Sequence, residues 1–353
     1  MKFSFNLSLF FVIMTSLIFG SCKKYEEEKF DFSNSSSPYV ELKTKTLRTI
    51  TEGASFPLTV QVRTALTEDV IVKYEITGDF TQAGELKLPA NTIEATAQVL
   101  VPTGTVKSPA ISANGVLSLK SATKVSDGQL IVGRITSLTE KFNVKVNAVT
   151  ANLNVIHASP DAPGVDLLID NVIVNKAALP FLDSTGYIKV VAGKRNIKVN
   201  ASGSTSTVIE SEITFTKDKF YSLFAINKLS SISAILVADS LGIPEDGNAN
   251  IRFFHLSPDA PAVNVGIIVD GTFTPIFSNR SFEDQASAVA HQDFIPVEAG
   301  VYEMEVRDAN TDATVLNIPG FKLDVGKIYT IYAKGLLSGV GDQALGAALI
   351  VHN

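Results

Sequence analysis

Part of this chain is written twice, and that duplication constrains the fold more than any other feature. Asn152-Leu153-Asn154-Val155-Ile156-His157-Ala158-Ser159-Pro160-Asp161-Ala162-Pro163-Gly164-Val165-Asp166 returns as Asn250-Ile251-Arg252-Phe253-Phe254-His255-Leu256-Ser257-Pro258-Asp259-Ala260-Pro261-Ala262-Val263-Asn264. Both copies keep His-x-Ser-Pro-Asp-Ala-Pro-x-Val. Further on, Ala192-Gly193 opens a strand-like run as Ala299-Gly300 does, and Lys219-Phe220-Tyr221 matches Lys327-Ile328-Tyr329. Blocks that recur in one order mark duplicated domains. The second copy is two residues longer between its motif Val and the following Asp (Val165 to Asp170 against Val263 to Asp270). An insertion of two leaves every strand side chain on its original face.

Apolar and polar residues alternate with period 2 throughout, as in Phe56-Pro57-Leu58-Thr59-Val60-Gln61-Val62 and Val70-Ile71-Val72-Lys73-Tyr74-Glu75-Ile76. Gly, Asn, Asp and Pro break the runs, which is the pattern of strands in sandwiches or barrels. Helical periodicity is confined to a turn or two within Arg280 to Ala290. The expected fold is all-β, with three tandem antiparallel β-sandwich domains at 39–148, 150–242 and 249–353.

The first residues bear on compartment. Lys2 precedes an apolar stretch from Leu7 to Phe19, too short to span a bilayer comfortably, and Gly20-Ser21 stand before Cys22. Residues 1–21 therefore read as a signal peptide. Phe19-Gly20-Ser21-Cys22 resembles the lipobox of bacterial lipoproteins, in the looser form seen in Bacteroidota. That resemblance implies lipid (palmitate) on Cys22 and an outer-membrane location. Residues 22–38, with Lys23-Lys24-Tyr25-Glu26-Glu27-Glu28-Lys29 and a serine-rich run, read as a flexible tether. Cys22 is the sole cysteine, so no intramolecular disulfide forms. The net charge of −6 becomes about −7 once Lys2 is removed, which argues against a nucleic-acid partner.

The His-x-Ser-Pro-Asp-Ala-Pro-x-Val block, with Asp-Asn or Asp-Gly after it, resembles domain of unknown function 4397. Two copies would cover 150–353. The resemblance implies immunoglobulin-like or transthyretin-like sandwiches on bacterial surface proteins. The second copy departs from the pattern at Asn264, where the first has Asp166. In the N-terminal region, Thr51-Glu52-Gly53-Ala54-Ser55-Phe56 and the Leu88-Pro89-Ala90-Asn91-Thr92 turn are similar to Calx-β-like modules. Clustered loop carboxylates of the calcium-holding kind are missing there; Asp79 and Asp127 are scattered.

The candidate site residues lie in the repeated turn: His157, Ser159, Asp161 and Asp166, and their counterparts His255, Ser257 and Asp259. Ser-Pro-Asp-Ala suits a type I turn, with proline fixing φ and the flanking side chains bonding nearby amides. A histidine four residues before a carboxylate is then placed to bond it. A zinc reading offers one His and one or two Asp per copy with no Cys. A calcium reading would draw on Asp161, Asp166 and Asp170. Neither reaches a full ligand set, so no metal and no cofactor are expected. No nucleophile elbow, zinc-protease, phosphate-loop or dinucleotide motif occurs, and no catalytic residue is expected.

Glycan platforms use Trp and Tyr, but the chain has no Trp. Its Tyr187, Tyr221, Tyr302 and Tyr329 fall in strand-like runs. Asp183-Ser184-Thr185 and Asp239-Ser240-Leu241 resemble O-glycosylation sites of Bacteroidota envelope proteins. The expected function is a non-enzymatic cell-envelope lipoprotein serving as a structural or interaction module. Its partners would be the membrane through Cys22 and an envelope protein or polysaccharide. The alternative is a glycan- or cation-binding module of an uptake or adhesion system.

Overall fold

The computed structural model of the chain describes residues 38–133 and 140–353, so Cys22, the signal peptide and nearly all of the tether lie outside the described residues. Alternation in sequence becomes alternation in burial. The N-terminal region holds β1 (Tyr39–Leu42), β2 (Arg48–Thr51), β3 (Ser55–Val62), β4 (Val70–Gly78) and β5 (Gln82–Leu88). It continues through β6 (Glu94–Leu100), β7 (Ser112–Lys124), β8 (Gln129–Val132) and β9 (Lys141–Asn147). In β3, Phe56, Leu58, Val60 and Val62 point inward between more exposed neighbours. The ladder runs β2-β9-β7-β8-β1-β3-β6, with β4 and β5 branching from β7, and it folds over one apolar core.

The first repeat follows with almost no linker. It comprises β10 (Thr150–His157), β11 (Val165–Ile169), β12 (Val172–Ile173) and β13 (Ile188–Val191), then β14 (Gly193–Ala201), β15 (Thr207–Phe215), β16 (Phe220–Ile226) and β17 (Ser233–Ala238). The second comprises β18 (Asn248–His255), β19 (Val263–Val269), β20 (Thr272–Arg280) and β21 (Ile295–Glu298), then β22 (Gly300–Asp308), β23 (Thr314–Leu323), β24 (Ile328–Lys334) and β25 (Gly346–Val351). A single helix turn and a half, α1 (Gln285–Ala290), precedes β21.

Both repeats are built to one plan. The first stacks β13-β10-β16-β17 on β12-β11-β14-β15, and the second stacks β21-β18-β24-β25 on β20-β19-β22-β23. Antiparallel pairing dominates, but β10 runs parallel to β16 and β18 parallel to β24, because each motif strand is entered from outside its sheet. Each sandwich has its own core.

The repeats are not beads on a string. From Leu153 to His157 in β10 and from Ile251 to His255 in β18, nearly every residue is buried whichever face it occupies. A strand buried on both faces reads as a continuous apolar run, not an alternating one. The inward faces fill the two sandwiches. The outward faces of the two sheets pack on each other, joining Ile156, Phe224, Ile235 and Val237 to Phe254, Tyr332, Ala348 and Ile350. These are the same positions in the two copies, so the repeats meet back to back around a pseudo-twofold axis. Phe224 touches Phe254 and Tyr332 edge-on, with centroids 5.6 and 6.1 Å apart. Full burial of each such ring contributes roughly 1.5–3 kcal/mol.

The N-terminal sandwich is also fixed to its neighbour. The buried Glu52 carboxylate accepts the N–H groups of Gly104 (2.9 Å), Val106 (3.3 Å) and Val149 (3.3 Å), the last at the start of the first repeat. Val191 of β13 packs into the N-terminal core. Among the described residues, no helix is long and apolar enough to cross a membrane.

Candidate functional site

The repeated turn places the same side chains at matching points of both sandwiches. His157 and His255 end their strands fully buried. In each, Nε2 lies 2.9 Å from a carbonyl oxygen, of Pro163 or Pro261, and a carbonyl only accepts, so Nε2 carries the proton. In the first copy Nδ1 accepts the N–H of Ser159 at 3.3 Å. Burial lowers the pKa of both imidazoles, which keeps them neutral.

The expected bond from each histidine to the aspartate four residues on does not form. The turn swings Asp161 and Asp259 outward while the histidines, still on the strand, point in. Asp161 Oδ1 instead accepts the N–H of Leu229 (2.7 Å), and Asp259 Oδ1 that of Leu337 (3.0 Å), in the loops after β16 and β24. The motif therefore ties its own turn to the loop after β16 in the first repeat and after β24 in the second. Ser257 Oγ donates to Gly335 O at 2.8 Å, whereas the buried Ser159 Oγ has no partner among the described residues.

Asp166 accepts from Ser202 Oγ (3.3 Å) and the Gly203 N–H (3.0 Å). Asn264 accepts the Asn279 N–H of β20 at 2.8 Å, a different partner element from that of Asp166. Asp170 accepts the N–H of Asn196 at 3.0 Å and faces Arg195. Asp161, Asp166 and Asp170 thus serve separate backbone partners. Among the described residues, no three His, Cys, Asp or Glu side chains are grouped to hold a metal.

The aromatic and hydroxyl candidates are similarly engaged. Tyr221 and Tyr329 accept main-chain N–H groups of Thr216 and Asp324 (3.2 and 3.1 Å), and Tyr302 donates to Glu298 O. Thr185 Oγ1 accepts from Val155 N (2.9 Å) and donates to Gly186 O (2.8 Å). Asp239, read as part of a modification tripeptide, is buried.

Asp239 belongs to the most unusual chemistry in the molecule, a closed ring of hydrogen bonds in the seam between the repeats. Arg252, in the middle of apolar β18, is fully buried. Its Nη2 meets Asp239 Oδ1 at 2.5 Å, with both side chains at 0% exposure. Arg252 Nε donates to Thr330 Oγ1 (2.8 Å), which lies 2.7 Å from His352 Nε2. His352 Nδ1 lies 2.7 Å from Tyr187 Oη, itself 2.6 Å from Asp239 Oδ2, and Ser222 Oγ donates to that same oxygen at 2.7 Å.

Proton placement follows by elimination. A carboxylate only accepts, so Tyr187 gives its one proton to Asp239. His352 Nδ1 must then donate to Tyr187, leaving Nε2 to accept from Thr330. The histidine is neutral in this arrangement, in keeping with a pKa that burial drives down to about 4. Burial also raises the Tyr187 phenol, with the Asp239 charge adding to it. The Arg252 guanidinium sits 5.0 Å from the Phe254 ring centroid and 4.4 Å from that of Phe294, which covers the cation with π faces.

The seam residues occupy matched positions in the two copies. Arg252 stands where the first repeat has Asn154, Thr330 where it has Ser222, His352 where it has Asp239, and Phe294 where it has Tyr187. Sequence reading did not find this cluster. Its signal was there: a lone arginine inside Ile251-Arg252-Phe253-Phe254, and a conspicuous charge difference between aligned copies.

Comparison with known families bears on the same region. Residues 151–266 match the model of DUF4397, a family described as a domain of unknown function. The DUF4397 match takes in the first sandwich from the second residue of β10 onward, both His-x-Ser-Pro-Asp-Ala-Pro turns, and Asp239 with Arg252. It ends at Gly266 inside β19. No curated protein matches the chain. Among solved structures it is distantly similar to the apo form of the Calx CBD1 domain, at 15% identity over 31% of this chain and 96% of that one, TM-score 0.24. CBD12 of CALX1.2 gives 12% identity over 47% and 83%, also at 0.24. The calcium binding domain CBD12 of CALX1.1 gives 13% over 46% and 79%, at 0.23. The chain is all-β, built of several sandwich-like sheet pairs.

Proposed function

We propose that this chain is a non-enzymatic lipoprotein of the bacterial cell envelope, held to the outer membrane by lipid on Cys22, whose two repeats act together as one rigid structural or interaction module. In this reading residues 249–353 are a second copy of the DUF4397 domain, and both repeats are immunoglobulin-like or transthyretin-like sandwiches. One observation carries the proposal. The histidine and aspartate side chains repeated in both copies bond backbone groups within their own repeat, so the motif's recurrence reflects bracing, not a shared reaction. Rigid sandwiches docked without slack suit a body that presents loops at a distance from a bilayer.

Fractionation of cells expressing the wild type and Cys22→Ala tests the anchor, and the variant is expected to leave the membrane fraction. A panel of hydrolase substrates and an array of cell-surface and plant glycans, applied to the purified mature chain, test the rest. Turnover abolished by His157→Ala and His255→Ala would overturn the non-enzymatic reading. Saturable binding to one glycan class would replace the structural role with the alternative of a carbohydrate-binding module in an uptake or adhesion system.

A further inference from the structure

We infer that β25 is an interaction edge and that its partner is β25 of a second copy of this chain, paired antiparallel about Leu349. A sheet edge presents unpaired N–H and C=O groups, and proteins blunt such edges with charge, proline, brevity or a covering segment. The two repeats have eight edge strands. Lys189 lies in β13, Glu210 and Glu212 in β15, Pro296 in β21, Pro275 in β20 and Pro319 in β23, and β12 is two residues long. Apart from the two-residue β12, only β17 (Ser-Ala-Ile-Leu-Val-Ala) and β25 (Gly-Ala-Ala-Leu-Ile-Val) among these eight have neither charge nor proline.

These two strands are equivalents, and the chain treats them differently. Asp239 N bonds inward to Phe220 O, so the backbone groups of Leu236 and Ala238 face outward, and both are capped by the second repeat. Gln285 accepts from Leu236 N and donates to Leu236 O, each at 2.8 Å, and Gln292 accepts from Ala238 N at 3.0 Å. The cap is an insertion. Leu182 and Glu283 make matching backbone bonds to the motif histidines, yet from Leu182 to Tyr187 is five residues and from Glu283 to Phe294 eleven. The extra six residues match the length of α1. Without that insertion the first repeat supplies no cap to β25.

On β25, His352 N bonds inward to Ile328 O, so Ala347, Leu349 and Val351 turn their N–H and C=O groups outward. Among the described residues none of these groups has a partner, and Leu349 and Val351 are 42% and 51% exposed. A small apolar gap between the sheets of the second sandwich, lined by Phe253, Met304, Ile331, Leu345 and Ala347, borders the start of the strand.

A second β25 fits this edge better than an unrelated segment because the edge is its own complement. Antiparallel pairing centred on Leu349 sets Leu349 opposite Leu349 and Ala347 opposite Val351. That register would close about six hydrogen bonds with no like charges opposed. It is isologous, so it stops at a dimer and does not grow into a fibre.

Sedimentation of the mature chain carrying Cys22→Ala, together with register-specific crosslinking, tests this. The chain is expected to dimerise. Leu349→Cys should form a disulfide with itself, because directly opposed hydrogen-bonded residues lie about 5.5 Å apart. Ala347→Cys should not crosslink alone but should do so when mixed with Val351→Cys. Leu349→Pro removes an outward N–H that the β24 ladder does not use, so it should weaken the dimer at least tenfold with the melting temperature unchanged. Should that variant fail to fold, Val351→Lys places a charge on the same edge and should give the same loss. A chain that stays monomeric at about 100 μM, or a Leu349→Cys chain that crosslinks no faster than a cysteine on an exposed loop, overturns the inference. So does a dimer that survives both edge substitutions.

Discussion

The Arg252–Asp239 pair offers the sharpest energetic test of the seam. Both side chains are fully excluded from water, so removing one partner strands the other as a buried charge, which costs about 3–5 kcal/mol. Asp239→Asn should therefore destabilise by about that much, although Asn keeps an acceptor for Tyr187 and Ser222. Arg252→Met should cost somewhat less, because Met refills the space against Phe254 and Phe294 while Asp239 retains two hydroxyl donors. Together the two changes remove both charges and leave an uncharged contact of similar volume, in which the Asn oxygen still accepts from Tyr187 and Ser222. Such replacements are often close to neutral. The double variant should cost no more than either single, giving a coupling energy of at least about 2 kcal/mol. Urea unfolding of the mature chain measures it, followed by far-ultraviolet circular dichroism and by tyrosine fluorescence, since the chain has no Trp. Losses that simply add, within about 0.5 kcal/mol, would mean the two groups act as independent charges and would refute the argument from burial.

Other outcomes follow from single contacts. His352 is held down to about 4 by burial, against 6.5 when exposed. The unfolded chain therefore takes up that proton first, and stability should be complete above about pH 6.5 and fall as pH drops toward 4. The total is about 3 kcal/mol, read as melting temperature against pH. The lowered His157 and His255 act with the same sign. In the turns, Ser257→Ala should cost about 1 kcal/mol through its lost bond to Gly335 O, while Ser159→Ala should be neutral or slightly stabilising, because that hydroxyl is buried without a partner among the described residues. Calorimetry that ranks them the other way would contradict the bracing scheme. Gly335→Ala should destabilise the second repeat by several kcal/mol, since φ is +82° and the new Cβ would sit 2.2 Å from Ala344 O; comparing its urea midpoint with that of wild type checks this.

Local information took the sequence reading a long way. Period-2 alternation sets which side chains of β3, β4 or β9 face a core, and it is a property of adjacent residues. The duplicated motif announces two domains of one plan, and the short helical stretch before β21 is visible because 3.6-residue periodicity interrupts an otherwise alternating chain. The turn chemistry of Ser-Pro-Asp-Ala was also local. The partners of its side chains were not. Asp161 meets Leu229 and Asp259 meets Leu337 across 68 and 78 residues, and only the folded sandwich sets those distances.

Sequence by itself thus determined an all-β chain with a repeated sandwich, because strand patterning and turn preference are short-range properties of the residues. Tertiary structure alone decided that the repeats are fused back to back and that Arg252, Thr330, His352, Tyr187 and Asp239 close a ring. It also decided that α1 caps β17 while β25 is left open. A strand buried on both faces has no alternation from which to read its second partner, and a buried ion pair has no spacing rule. What fixes them is the match between two whole sheet faces, which exists only after each sandwich has formed.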